Sequence, residues 1–449
     1  MQNYCLLEVD VNGQEIFLVD KTILASYSGR LRKLFSKLTG KTTRLKLIFD
    51  KFPGGAECFE LIVKFCYNGG TIKITPFNMF QLHCAANYLE MNQQMQQGRP
   101  SLVEQTISFF EKIHYMTWSE LIIGLKKCQE LIFFMPYSSL LQQFMDCVVG
   151  RLELHYISSP CASSTDNSSM QFSGDISTES RGIYTCQATW WFADLGFLKL
   201  NMFKMIIDTM ISKKLDHHVI SSFLFYYKRM KCLNASSVQK CRIIETVIKL
   251  LYSLDSNFVS IRGLFDILQA SFTLKMSKCS IEKLEHLIGS QLDRAKLDDL
   301  LVPSPAGEKI AYNISLILRL VDIFLSTNRE KILMYQVKKV AELIDLYTIE
   351  VAPDPRLKPS KFLALAMAMP DIARESYDNI YIAIDMYLKV HINALCEEEK
   401  IKICCVLNYE KLSEETQKEA AQNENFPACA LVTVQNRLKY SVTRTSNFS

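Results

Sequence analysis

The 449-residue chain lacks a membrane span, a paired-cysteine motif, a charge excess and every common catalytic signature. No apolar run reaches the roughly 18 residues that crossing a bilayer needs. The nearest candidate, around Leu121 to Phe134, is interrupted by Lys126, Lys127 and Glu130. The first residues show no basic start followed by an apolar core, so no secretory leader is expected and the expected location is cytoplasmic. The 15 cysteines are odd in number and contain no C-x-x-C pair, which argues against a disulfide framework and a zinc ribbon. They read as free thiols serving as small apolar core residues. A formal net charge of +4, spread over the whole length, gives no electrostatic case for nucleic acid or an acidic substrate.

Catalytic motifs are missing as well: there is no H-E-x-x-H, no G-x-x-x-x-G-K-[ST] and no G-x-S-x-G. His217 and His218 are adjacent and so leave a helix on different faces. Cys404 and Cys405 fall in an apolar helix, and Pro53-Gly54-Gly55 reads as a turn that opens a helix. Asp298-Asp299 and Glu397 to Glu399 suit a solvated face or a helix start. One nucleophile arrangement remains to be tested, His83 with Cys84 or Cys66 and with Cys58 nearby, and apolar neighbours in helices count against it. No catalytic residue, cofactor or metal is expected.

What is present is a chain of ordinary globular balance, 49% hydrophobic and 22% charged, long enough for two to four domains. Leu7, Val9 and Val11 alternate with Glu8, Asp10 and Asn12, the pattern of a half-buried strand. Asn12-Gly13 suits a tight turn, and EIFLV returns as the partner strand. Asp20 is placed to cap a helix carrying Ile23, Leu24 and Tyr27, and Ser28-Gly29 breaks it before a second helix. RLKLIF is expected as a third strand, FPGGAECFELIVKFCYNG as a loop and apolar helix, TIKI as a short strand, and Pro76 as the start of another helix. Between Arg99 and Tyr156, Leu121, Ile122, Leu125 and Cys128, then Leu140, Leu141, Phe144 and Cys147, keep helical spacing.

The Ser- and Thr-rich run from 158 to 189 is expected to be a disordered linker. Helical stripes follow it: Leu200, Phe203, Ile206, Ile207 and Met210; Ile243, Ile244, Val247, Leu250 and Leu251; Leu264, Phe265, Leu268 and Phe272; Leu316, Leu320, Ile323 and Phe324. Pro303 and Pro305 mark a break between helical groups. From Glu350 to Asn425 the helices have hard edges. Pro353, Pro355 and Pro359 forbid one continuous helix, Ser360 is the expected N-cap, and Pro370 is the expected stop. Ile380, Ala383, Ile384, Tyr387, Leu388 and His391 then share a face, and Tyr381, off that stripe, reads as a partly buried amphipathic tyrosine, with exposure and phosphorylation as the alternative.

The runs VAPDPRLKPSKFLALA, PDIAR, YIAIDMYLKVH, CEEEK, KLSEETQKEAAQNENFP and, upstream, WWFADL and QVKKVAELIDLYTIEVA resemble the signature segments of the plant non-phototropic hypocotyl three family. The first hundred residues resemble a BTB/POZ domain. Thr189, Ala193, Ile382 and Ile392 depart from the family's usual residues, and the chain ends without the coiled-coil tail of longer members. The resemblance implies an α+β BTB/POZ domain at 1–92, a helical extension at 93–157, the linker, an all-α domain at 190–427 and a basic tail at 428–449. It also implies a non-enzymatic adaptor, dimeric through its BTB domain, that brings a client to a cullin-three RING ubiquitin ligase. Some clients in the family are photoreceptor kinases at the plasma membrane. Leu7, Val9, Val11, Ile23 and Leu24 are the expected dimer contact. Arg444-Thr445-Ser446 is similar to a family element whose phosphorylation, here at Ser446, would engage a 14-3-3 reader, and the basic tail suggests peripheral membrane contact. The rivals are a signalling or trafficking scaffold that recruits no ligase, and a cytosolic Cys/His enzyme.

Overall fold

The computed structural model describes residues 6–37, 45–92, 99–135, 139–157, 189–305, 307, 309–327 and 333–427. The run expected as a linker, apart from Thr189, and the basic tail with Ser446 lie outside the described residues. Internal contacts divide the chain into two compact units, Met1–Phe223 and Leu224–Ser449.

The first unit opens with a three-stranded sheet, β1 (Leu6–Val11), β2 (Glu15–Asp20) and β3 (Leu45–Phe49), in the order β2-β1-β3. β1 pairs antiparallel with β2, Leu7 opposite Val19, and parallel with β3, Leu7 opposite Leu45. The hairpin turns on Asn12 and Gly13, at φ 58° and 65°, which the short Asn side chain and glycine tolerate. Asn12 then ties the sheet to the next loop, because its Oδ1 accepts from the Phe52 amide at 2.6 Å. Two helices, α1 (Lys21–Tyr27) and α2 (Gly29–Ser36), come before β3, and α3 (Gly55–Tyr67) and α4 (Met79–Tyr88) after it. Asp20 caps α1 through the Thr22 and Ile23 amides, and Ser28 caps α2 through the Leu31 amide, as the side-chain chemistry dictates. The core they enclose is aromatic: Phe17, Phe49, Phe52, Phe59 and Tyr88 meet with ring centroids 5.1 to 6.0 Å apart.

Two details differ from expectation. Thr71–Ile74 joins no ladder among the described residues, because Asn78 takes the local backbone groups: its Nδ2 donates to the Lys73 carbonyl and its Oδ1 accepts from the Thr75 amide. Ile72 and Ile74 are instead held by packing on the core. The same Asn78 turn delays the helix expected from Pro76, which starts at Met79.

The unit continues with α5 (Leu102–Phe110), α6 (Trp118–Leu131), α7 (Ser139–Ile157), α8 (Phe192–Leu195) and α9 (Leu200–Ser212). Capping boxes Ser101/Glu104 and Thr117/Glu120 start α5 and α6. Gly124 lets α6 approach α7 closely, since a Cβ there would fall 2.7 Å from the Phe144 ring. The helix α10 (His217–Cys232) spans the division between the units.

In its described elements the second unit is helical, with one isolated antiparallel bridge between Pro303 and Tyr312. It comprises α11 (Ser237–Leu251), α12 (Ile261–Thr273), α13 (Lys278–Gly289), α14 (Leu297–Leu300), α15 (Ile314–Thr327), α16 (Met334–Val351), α17 (Pro359–Ala366), α18 (Asp378–His391), α19 (Glu397–Cys404) and α20 (Glu414–Ala421). The apolar stripes turn inward, except that Phe272, in the last turn of α12, is 42% exposed. The start of α17 corrects the reading of Ser360 as its N-cap. Lys358 is the N-cap, and Pro359 occupies the first turn, where its fixed φ and missing N–H cost nothing. Ser360 therefore lies inside the helix, and the Lys361 amide closes the first turn by donating to the Lys358 carbonyl at 3.0 Å.

Candidate functional site

In the second unit the signature runs converge on one polar knot. α16 carries Asp345 on its buried side, and the 3-10 turn Asp371–Ala373 delivers Arg374 to it. Arg374 Nε lies 3.1 and 3.0 Å from the two Asp345 carboxylate oxygens, and Nη2 lies 2.8 Å from Oδ1. Nη1 donates to the Met369 carbonyl at 3.2 Å. Both side chains are almost fully buried, at 2% and 4% exposure. Burial pushes the Asp345 carboxyl up, and the Arg374 guanidinium pulls against it.

A second layer fixes that turn from outside. The Tyr377 hydroxyl donates to Asp371 Oδ1 at 2.8 Å, and Asn408 Nδ2 donates to the same oxygen at 3.1 Å. Lys411 Nζ reaches the Asp371 carbonyl at 2.6 Å, its Oδ2 at 3.0 Å and the Arg374 carbonyl at 3.0 Å. Asn408, Tyr377 and Lys411 together hold the Asp371 carboxyl well below the usual carboxylate range, at about 2. PDIAR is thus the connector between α16, the start of α18 and the segment around Lys411.

The knot floors a cleft of about 450 Å³. One wall is α16, with Tyr335, Lys338, Lys339 and Glu342; the other carries Glu375, Ser376 and Asn379. Lys338 and Glu375 close one side of it at 2.6 Å. Its lining holds three cations and three acids, so the cleft offers hydrogen-bonding walls and an aromatic edge rather than a field of one sign.

The other signature runs make a stacked column. Tyr387 stacks on Phe362 at 4.2 Å and on His391 at 4.1 Å, and its hydroxyl donates to the Leu357 carbonyl at 2.9 Å. KPSKF and YLKVH therefore hold each other in place. In the first unit, WWFADL does similar work: Trp191, Phe192, Phe203 and Phe223 cluster with centroids 4.5 to 5.5 Å apart. Trp190 meets Trp118 of α6 edge-on at 5.0 Å, and Trp118 Nε1 donates to Asp194 at 2.7 Å.

The residues expected to carry function are placed differently. Leu7, Val9, Val11 and Leu24 point into their own unit's core at 1% exposure or less, and Ile23 is half-buried. Within the single chain, the strand alternation turns the three strand residues inward. The opposite sheet face presents Leu6, Ile16, Leu18 and Ile48, which are 48% to 70% exposed. Tyr381 is buried more completely than its amphipathic reading expects, at 5% exposure. The later chain covers it, with Phe426 against its ring at 5.6 Å and Asn423 donating to its hydroxyl at 3.3 Å.

His83 does not form a pair with a thiol. Its Nδ1 bonds the Thr106 hydroxyl at 2.9 Å and its Nε2 meets Asn87 Nδ2 at 3.0 Å. Burial lowers its pKa to about 4 and pushes the Cys66 and Cys84 thiols up to about 12, the reverse of what an activated nucleophile needs. His217 is half-buried and His218 exposed, and Cys404 is buried while Cys405 is exposed. Among the described residues no group of three His, Cys, Asp or Glu side chains is placed to hold a metal ion. No helix there is long and apolar enough to cross a membrane.

The role of PDIAR is not visible in its own five residues. The available signal was Asp345, an acid set among Ala341, Ile344 and Thr348 on an otherwise apolar helical face. A buried acid of that kind demands a cation from elsewhere in the chain.

A three-stranded sheet with interleaved helices, followed by a helical region, defines a BTB/POZ protein with a second, all-α domain. The BTB/POZ domain model matches residues 2–106 and the NPH3 family model matches residues 189–417. A BTB/POZ domain-containing protein of Arabidopsis thaliana is 43% identical over 427 residues, covering 94% of this chain and 82% of the relative. Two others from the same plant are 30% and 31% identical, each across at least 94% of this chain and 80% of their own length or more. No solved structure matches. The chain belongs to the NPH3 family.

Proposed function

We propose that the protein is a non-enzymatic adaptor: its BTB domain dimerises and docks a cullin-three ubiquitin ligase, and its helical domain holds the client. The observation that carries this reading is the pairing of a BTB/POZ domain and an NPH3 domain in one chain. Such a protein works by effective concentration, since holding a client near a ligase makes the transfer step intramolecular without a catalytic group in the adaptor. The cleft over Asp345 and Arg374 is the proposed client contact, with Tyr335 and Lys339 as its accessible anchors. The clients proposed are photoreceptor kinases, the location is cytoplasmic with peripheral attachment at the plasma membrane, and the tail is offered to a 14-3-3 reader. The buried, raised thiols and the doubly bonded His83 speak for an adaptor over a Cys/His enzyme.

The test is titration of the full chain with the N-terminal half of a plant cullin-three, beside an unrelated cullin. Specific stoichiometric binding supports the ligase adaptor. A folded dimer that ignores both cullins at high concentration replaces it with the scaffold reading.

A further inference from the structure

Two helix turns of the second unit lie at the same end of their bundle. α10 turns into α11 across Leu233 to Ser236, and α12 turns into α13 across Leu274 to Ser277. Cys241 Sγ donates to the Lys275 carbonyl at 3.3 Å, and the Ser277 amide donates to Glu245 at 2.7 Å, so the turns are neighbours.

Their composition is one-sided. From Lys228 to Ile244 there are five cations and no acid, and from Ile267 to Ile281 two cations and no acid. The nearest acids are engaged or set back: Glu245 is bound to the Ser277 amide, Glu282 lies 3.7 Å from Lys278, and Asp266 acts on Lys228. Large apolar side chains stand in the same place: Leu233 is 67% exposed, Val238 64%, Met230 49% and Phe272 42%.

We propose that this end of the helical unit docks on an anionic phospholipid bilayer. Lys240, Arg242, Lys275 and Lys278 would face the headgroups, while Leu233 and Val238 enter the headgroup–acyl boundary. The charge pattern alone fits an acidic polypeptide equally well. What favours the bilayer is that the exposed apolar residues sit among the cations, Leu233 on the turn and Met230, Val238 and Phe272 in the helix turns beside it: an acidic chain would satisfy the cations and leave those side chains in water, whereas a membrane interface takes both. The site rests on the peripheral membrane attachment proposed above and not on the cullin or client contacts.

The experiment is sedimentation of the full chain with phosphatidylcholine vesicles and with vesicles in which phosphatidylserine is roughly a third of the lipid. Binding is expected only to the second. Lys240→Glu with Arg242→Glu, and separately Leu233→Ser with Val238→Ser, should each lower the partition about tenfold or more. Lys51→Glu with Lys73→Glu in the first unit should leave it unchanged, and melting curves confirm that each variant is folded. Absence of binding to the anionic vesicles overturns the proposal. So does equal loss with the control pair, or binding that both turn variants retain. If only the charge pair matters and soluble polyglutamate competes the protein off the vesicles, the surface belongs to an acidic polypeptide instead and the bilayer assignment falls.

Discussion

His83 in the first unit and the Asp345–Arg374 pair in the second are both buried, and the two units keep them by opposite means. His83 is held neutral, with its ring nitrogens bonded to Thr106 and Asn87. Asp345 and Arg374 are matched by three close contacts to one carboxylate. The BTB core is apolar and aromatic and tolerates a polar group only in its uncharged form. The NPH3 segments use a buried charge pair to join elements distant in sequence, so their stability hangs on both partners at once.

Breaking one partner is the largest test of that contrast. Arg374→Ala leaves Asp345 buried without its cation and should cost about 3–5 kcal/mol in denaturant unfolding. Phe59→Ala, which empties the centre of the aromatic cluster, should cost a similar 3–5 kcal/mol, roughly, through a cavity rather than a stranded charge. The His83 contrast is read by pH. Its folded pKa lies below the unfolded value, so the neutral form's contribution is complete above about pH 6.5 and is lost as pH falls toward about 4. The loss approaches about 3 kcal/mol across that window, and His83→Gln should flatten the profile. Tyr387→Phe removes only the bond to Leu357 and should cost about 1 kcal/mol. Asp371 also has a depressed folded pKa, so its contribution is present above the ordinary carboxylate range and lost as pH falls to about 2. Smallest of all, Lys33→Ala breaks an exposed pair with Glu90 and should change stability by about 0.5 kcal/mol or less.

Periodicity made part of this architecture legible. Leu7, Val9 and Val11 are buried by the two-residue repeat, and Ile380, Ala383, Ile384, Tyr387, Leu388 and His391 by the helical one. Asp20 and Ser28 announced their helices because a side-chain acceptor at an N-terminus has few alternatives. Pairings across long separations were not legible: Asp345 meets Arg374 over 29 residues and Asp371 meets Lys411 over 40. The depth of Tyr381's burial was illegible for a related reason, since one helical face says nothing of the segment near Phe426 that later covers the other. The strand expected at Thr71–Ile74 lost to Asn78, a local competitor for its backbone groups.

The most direct test of the charge-paired knot is a double-mutant cycle on Asp345 and Arg374, read as unfolding free energy. Asp345→Leu and Arg374→Met should each be strongly destabilising alone, and together should cost far less than the sum, because the double variant strands no charge. Additive costs would contradict the account, showing that the two side chains act separately and that the pair does not hold the cleft's floor.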